Sequence, residues 1–269
     1  MDGFKMAVFK QAVFKKPSSK KPFWKSGENA VTNSASAPLS ASVLEALARY
    51  DTPTICNAME IVAPERRLIG YTTKPLVCPF PDLPPIVGYA RTVTIRSVVA
   101  SGLPAAEQQK RRTAYYEYVG TGHGPRISVI QDIDGPDVGY GAFWGEVQSS
   151  VHKALGCLGV VTDGSIRDIP QWAPGFQALA GSIGPSHAWV HAESFGGEVR
   201  VAGMTVRSDD LIHADCHGAI VIPHDIAAKL PDAAELCGRR ETPILEIARS
   251  PSFTLEKLKE ALARSAEIH

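Results

Sequence analysis

The sequence predicts an α/β domain, and three observations carry that prediction. A helical stripe beginning at Gly145 runs directly into a buried apolar run at 158–162, the helix-to-strand alternation of a layered α/β protein. The stretch 199–222 breaks into short apolar runs separated by Gly203, Ser208-Asp209-Asp210 and Gly218, a β-rich pattern. The last segments, 225–248 and 254–266, return to helical spacing and are expected outside the sheet. A length of 269 residues suits one main domain.

Taken in order, Ser42-Val-Leu-Glu45 has the form of a capping box, with Val43, Leu44, Leu47 and Ala48 as the apolar stripe behind it. This predicts a short helix over 42–50 that covers a sheet. A proline-rich lead-in precedes a strand predicted over 86–100, and a second is predicted over 127–133, both in the core. The next helix opens at Gly145-Glu146 with Val147, Val151, Ala154 and Leu155 on one face, and Gly156 ends it. The strand at 158–162 stops at the Asp163-Gly164 turn signal. No repeat of solenoid length is present.

The N-terminus differs from the rest. Seven lysines and no acid lie between Asp2 and Glu28, and the stretch then turns Pro- and Ser-rich. Residues 1–37 are expected to form a poorly ordered arm. The arm lacks the arginines and amphipathic period of a transit peptide, and Met6 is an alternative start.

Composition excludes several classes. Lys+Arg and Asp+Glu are both 28, so the chain has no overall charge to draw it to nucleic acid or to an anionic membrane. No apolar run reaches the ~20 residues of a membrane-spanning helix. Five cysteines, at 56, 78, 157, 216 and 237, include no Cys-x-x-Cys pair, which fits neither a disulfide framework nor a zinc ribbon and points to a reducing cytoplasm.

Three clusters invite a chemical reading. Gly120-Thr-Gly122-His-Gly124 resembles a phosphate loop but is followed by Pro125 and a strand, so the helix N-terminus that would cradle phosphate is missing. The same absence removes dinucleotide and S-adenosylmethionine readings. His213, Asp215 and His217 alternate and on a strand would face one side as metal ligands; side chains binding turn backbone before Gly218 is the other reading. His187 and His191 lack the glutamate of a helix-borne zinc site. No Gly-x-Ser-x-Gly elbow occurs.

The most informative stretch is Gly145-Glu146, then twenty residues, then Arg167-Asp168. A helix opening at Gly145 leaves the amides of Glu146, Val147 and Gln148 free for a carboxylate. Ten helical residues rise about 15 Å and five strand residues recover about 17 Å. The helix start and the strand end are therefore expected side by side, joining an anion cradle, a guanidinium and two carboxylates. An ordinary ion pair between Arg167 and Asp168 or Glu146 is the other reading.

These residues carry a resemblance. Gly145-Glu146-x20-Arg167-Asp168, with Gly-Val-Val-Thr-Asp-Gly-Ser-Ile-Arg-Asp at 159–168, resembles the signature of the 4-hydroxy-4-methyl-2-oxoglutarate aldolases and the RraA-like proteins, regulators of ribonuclease activity. Gly88-Tyr-Ala-Arg-Thr-Val93, Gly203-Met-Thr-Val206 and the block 210–223 are similar to that family's early and late strands. The resemblance covers roughly residues 38–250, leaving the arm and a C-terminal helix at 251–269 outside.

The resemblance implies a three-layer β/β/α swivelling-domain fold in trimers or hexamers with sites at subunit boundaries. It implies Mg²⁺ or Mn²⁺ and the cleavage or decarboxylation of small 2-oxo acids through pyruvate enolate. By position, Asp168 would ligate the metal directly and Glu146 would hold it through water. Arg167 would bind the keto oxygen, and the Gly145 turn with the amides of Val147 and Gln148 would take the substrate carboxylate. A further acid from a neighbouring subunit is assigned to Glu241, with Glu235 and Glu246 as alternatives. The family also implies a rival function, a non-catalytic binding protein that restrains an RNA-processing enzyme, and an older methyltransferase label, for which the chain offers no nucleoside-binding loop. Two features depart from the family: Glu146 stands where the aldolases often carry Asp, and residues 184–195, with His187, Trp189 and His191, are unlike its commonest members.

Overall fold

The computed structural model describes residues 38–269; the lysine-rich arm lies outside the described residues. The chain enters through α1 (Ala41–Leu47) and α2 (Thr52–Val62), then crosses to β1 (Ile86–Arg96). Next come α3 (Ala105–Gly120), β2 (Arg126–Asp132), β3 (Ala142–Trp144), α4 (Glu146–Ala154), β4 (Cys157–Thr162) and β5 (Ser165–Ile166). Five short strands follow: β6 (Gln177–Leu179), β7 (Ser182–Ile183), β8 (His191–Phe195), β9 (Val199–Val201) and β10 (Met204–Val206). The chain closes with β11 (Leu211–Asp215), β12 (Gly218–Ile222), α5 (Leu230–Ala248) and α6 (Leu255–Ala266).

Among the described residues the main sheet runs β12-β11-β1-β2-β4-β6, with β8 also paired to β1. β1, β2, β4 and β6 are parallel, while β11, β12 and β8 are antiparallel to their neighbours. β1 is buried along nearly its whole length, as expected of a strand covered on both faces. Its odd-numbered residues meet helices: Val87 and Tyr89 pack with Leu44, Leu47, Ile55 and Leu230, and Val93 and Ile95 pack with Tyr115 and Val119. Its even-numbered Ile86 and Ala90 meet Val199, Val201 and Met204 of the β9–β10 hairpin. Each large apolar side chain sealed this way contributes about 1.5–3 kcal/mol.

A separate small sheet, β3-β5-β7, is parallel throughout. It pairs the three residues before Gly145 with the two residues before Arg167, and so sets the register of the candidate site.

Several boundaries differ from expectation. The first helix spans Ala41–Leu47 and is capped by Ser40, whose hydroxyl accepts from the Val43 amide at 3.4 Å; Ser42 instead bonds the Ser40 hydroxyl at 2.9 Å, so the capping box is not formed. Asp51 already caps the next helix by accepting from the Thr54 amide at 2.8 Å, which leaves no room for the first to reach residue 50. β1 ends at Arg96, not at 100, because the amides of Ser97 and Val98 turn inward to donate to the Asp134 carboxylate. The helix at 146, the strand at 157 and the last helix fall where their periods place them, whereas α5 begins at Leu230 rather than 225, after a single 3₁₀ turn at Ala227–Lys229.

Candidate active site

The site begins where β3 gives way to α4. Gly145 is the N-cap of α4, and no side chain caps the helix, so the first-turn amides of Glu146, Val147 and Gln148 present the positive end of the helix outward. Glu146 and Val147 are exposed. His152 and Lys153 occupy the last turn, and Gly156 follows in the left-handed conformation at φ 86°. The guanidinium of Arg126 donates to the Leu155 carbonyl at 2.9 Å and the Thr121 carbonyl at 2.9 Å, closing the ends of α4 and α3 together.

β4 then carries the chain back, and β5 places Ile166 opposite Trp144. The Arg167 amide donates to the Trp144 carbonyl at 2.9 Å, extending that ladder by one bond. Asp168 leaves it in the left-handed region at φ 53°, a conformation that costs a non-glycine residue free energy and that Asp tolerates better than most. The turn swings the Asp168 carboxylate over Gly145: a Cβ on Gly145 would stand 2.5 Å from Asp168 Oδ2 and 3.3 Å from Arg167 Cγ. Gly145 has an extended backbone, φ −167°, open to any residue, so the requirement for glycine is one of space.

Arg167 Nε and Asp168 Oδ2 lie 3.4 Å apart, with 34% and 39% of their side chains exposed. The ion pair of the plainer reading is therefore present, and it sits on the helix N-terminus as the spacing predicted. Glu146 is exposed in the same turn and joins no ion pair among the described residues. Glu241, Glu235 and Glu246 lie exposed on α5, with Glu235 paired to Arg239 at 3.7 Å.

Behind the site, α4 is held by a buried polar chain. Tyr115 of α3 bonds His152 Nε2 at 2.6 Å, and His152 Nδ1 bonds the Gln148 carbonyl at 2.7 Å. Since a carbonyl only accepts, Nδ1 carries the proton and Nε2 accepts from the tyrosine. Burial pushes the His152 pKa down to about 4, so the ring is neutral. A second link joins the same helices: the Tyr116 hydroxyl donates to Gln148 Oε1 at 3.2 Å. At the ends of β2 and β4, burial raises Asp163 to about 6 and also raises Asp132. Asp163 Oδ1 accepts from the Asp132 amide at 2.8 Å.

The alternating trio resolves differently. His213 and Asp215 share a face of β11, and both are spent on α2: Thr52 meets His213 Nδ1 at 3.0 Å and donates its amide to Asp215 Oδ2 at 2.8 Å. His213 Nε2 faces the Leu47 and Tyr50 carbonyls, so neither ring nitrogen is free for a metal. Asp215, Cys216 and His217 do bring one ligating atom each within 4.8 Å of one another, and Asp215 Oδ1 accepts from the His217 amide at 2.8 Å. The glycine cluster 120–124 packs on Arg91, whose guanidinium occupies the space a Cβ on Gly122 would need. His187 lies in a loop and His191 in β8, each ring bonded to a nearby carbonyl, Ala188 at 2.7 Å and Trp189 at 2.8 Å.

Sequence reasoning missed α2, α3, β8 and the short strands β3, β5, β6 and β7. The Asp51-Thr-Pro53 start of α2 was the available signal.

Comparison with known proteins bears on this geometry. The family model described as RraA-like, Aldolase/RraA, matches residues 52–221, more than half of the chain and all of the candidate site except α5. Among curated proteins none matches significantly. Similar solved structures include an uncharacterized protein from Pseudomonas syringae pv. tomato str. DC3000, 22% identical, covering 83% of this chain and 95% of its own with a TM-score of 0.63. A structure described as novel cellulases from microbes associated with the gut ecosystem is 18% identical, covering 78% and 90%, with a TM-score of 0.63. Streptomyces coelicolor RraAS2, an unusual member of the RNase ES inhibitor RraA protein family, is 22% identical, covering 76% and 96%, with a TM-score of 0.58. Three such different descriptions on one fold mean that the likeness carries the architecture alone.

Proposed function

The chain belongs to the RraA-like family, and from that premise we propose that it is a divalent-metal-dependent lyase releasing pyruvate from 4-hydroxy-2-oxo acids of the 4-hydroxy-4-methyl-2-oxoglutarate type. Oxaloacetate decarboxylation is a second reaction of the same site. One observation carries the reading: the Asp168 carboxylate lies against Gly145 at the uncapped start of α4, with Arg167 beside it. The positive end of a helix, a guanidinium and the Asp168 carboxylate adjoin there on a part-exposed surface, with Glu146 in the same turn.

The donor set fits Mg²⁺ or Mn²⁺. Asp168 and Glu146 offer hard carboxylate oxygens, and no thiol or imidazole stands among the candidate residues. Asp168 would hold the ion directly and Glu146 through water, with Glu241 of a second copy completing the shell. When bound, the ion stabilises the negative charge that builds on the substrate's keto oxygen. The amides of Val147 and Gln148 take the C1 carboxylate. Arg167 donates to the keto oxygen, where the electron pair of the breaking C3–C4 bond arrives. Glu146 accepts the C4 hydroxyl proton through water and returns it to C3. Oxaloacetate needs no initial base, because carbon dioxide leaves directly.

The accompanying proposals are a swivelling β/β/α arrangement over 38–250, trimers or hexamers that bring Glu241 across a boundary, and a cytoplasmic setting. The covering of β1 by helices on one face and a hairpin on the other supports the first. No described helix is long and apolar enough to cross a membrane.

The test is a coupled pyruvate assay over 4-hydroxy-2-oxo acids and oxaloacetate, with and without Mg²⁺ or Mn²⁺. Arg167→Ala should lower turnover by about 10²–10³ with folding intact, and Asp168→Ala should abolish metal-dependent release. Unchanged release in both variants overturns the reading. A panel without activity, together with capture of an RNA-processing enzyme that persists after both replacements, would instead establish the binding-protein function.

A further inference from the structure

Asp215, Cys216 and His217 stand at the turn between β11 and β12, far from the cradle in the topology. Ala214 pairs with Ile86 at the start of β1, so the turn lies at the N-terminal ends of the parallel strands. Arg167 follows β4 and β5, beyond the C-terminal ends. The backbone of the turn is held from two sides. The Thr72 hydroxyl accepts from the Ala219 amide at 3.1 Å, and the Thr72 amide donates to the Ala219 carbonyl at 2.9 Å. The Thr52 amide, in the first turn of α2, donates to Asp215 Oδ2 at 2.8 Å. The buried Asp215 therefore turns its other oxygen, Oδ1, towards His217, where it accepts from the backbone amide at 2.8 Å and lies 3.1 Å from Nδ1. Cys216 Sγ lies 3.6 Å from the same Nδ1.

An aspartate that caps a turn accounts for the amide bond. It does not account for a sulfur and an imidazole nitrogen gathered beside the remaining lone pair of that oxygen. The spacings match the edges of a zinc tetrahedron: Zn–S of about 2.3 Å and Zn–N of about 2.0–2.1 Å set sulfur and nitrogen about 3.6 Å apart, and nitrogen and carboxylate oxygen about 3.3 Å apart. All three ligating atoms lie within 4.8 Å of one another. The setting is anionic, since burial and the carboxylates of Asp215, Asp51 and Asp82 push the Cys216 thiol up, and a cation would balance that charge. A thiol with an imidazole selects Zn²⁺ over the harder Mg²⁺ and Mn²⁺. We propose that Asp215 Oδ1, Cys216 Sγ and His217 Nδ1 bind Zn²⁺, with water in the fourth position. On binding, the thiol proton leaves to solvent and the ring proton of His217 stays on Nε2, while the amide bond to Oδ1 is kept. The ion closes the turn on a carboxylate already tied to Thr52, and so fastens the β11–β12 hairpin to the start of α2.

Co²⁺ is the probe, because a thiolate ligand gives it a near-ultraviolet charge-transfer band. Titrated with Mg²⁺ in excess to occupy the cradle, the parent should bind Co²⁺ with that band, and Zn²⁺ should bleach it. Cys216→Ser should abolish the band. Cys216→Ser and His217→Ala should each weaken Zn²⁺ by about tenfold or more, measured by competition with a chromophoric chelator, with circular dichroism confirming that both variants fold. Zn²⁺ should raise the Tm of the parent and leave that of Cys216→Ser unchanged. Absence of the band in the parent, its survival in Cys216→Ser, or an unchanged Zn²⁺ affinity in His217→Ala overturns the site.

Discussion

At Gly145 a single missing methyl group decides whether two distant parts of the chain share a site. Its backbone is extended, so alanine could adopt it, but the added Cβ would stand 2.5 Å from the Asp168 carboxylate. Gly145→Ala should therefore push Asp168 aside rather than unfold the protein. Overpacking of this kind costs about 1–3 kcal/mol, and circular dichroism should show a native fold while Mg²⁺-dependent pyruvate release is lost. Retained release would mean that Asp168 does not act from this position. The spacing predicted that Gly145 and Arg167-Asp168 would adjoin, because a helix and the strand after it return the chain by nearly the distance it left, and a Cβ on Gly145 would indeed meet both. The sequence did not display the tightness of that contact, which depends on the left-handed turn at Asp168, nor the commitment of His213 to Thr52, Leu47 and Tyr50, which lie about 160 residues away in the chain.

Helix α4 is only as well placed as its attachment to α3. The Tyr115–His152–Gln148 chain fixes that attachment, and Tyr115→Phe should leave a buried imidazole nitrogen without its donor, at a cost of about 1–3 kcal/mol read by chemical denaturation. His152 has a folded pKa of about 4, below its unfolded value near 6.5. The unfolded chain thus binds more protons in that interval, and the stability from neutral His152 is complete above about pH 6.5 and is lost as pH falls towards 4. The loss approaches ~3 kcal/mol. The raised Asp163 works in the opposite sense, its native state holding the extra proton between about 4 and 6, so the two are separated by comparing the parent with His152→Gln. The difference should shrink steadily from pH 7 to 4.5; a constant difference would contradict the assigned titration. Strongly periodic elements such as α4 and β4 were legible in the sequence. α3 was not, because its Gln108–Arg112 stretch is polar and the helix buries only Tyr115 and Val119. β3, β5 and β7 were hidden by their length, two or three residues each, and they have meaning only as a sheet.

For the molecule as a whole, the topology explains how the two ends of one family motif come to lie together. Parallel β2 and β4 bring the chain back to the same edge, and the β3–β5 pair locks the start of α4 against Arg167. The α/β class was readable from the alternation of periods along the chain; the sharing of β1 between helices and a hairpin was not, since it follows from pairings between residues far apart. The most direct measurement is Mn²⁺ binding, titrated and followed by electron paramagnetic resonance in the parent and in Asp168→Ala. The account predicts a saturable site in the parent that disappears in the variant while the fold is retained. Equal Mn²⁺ binding by both proteins would contradict it.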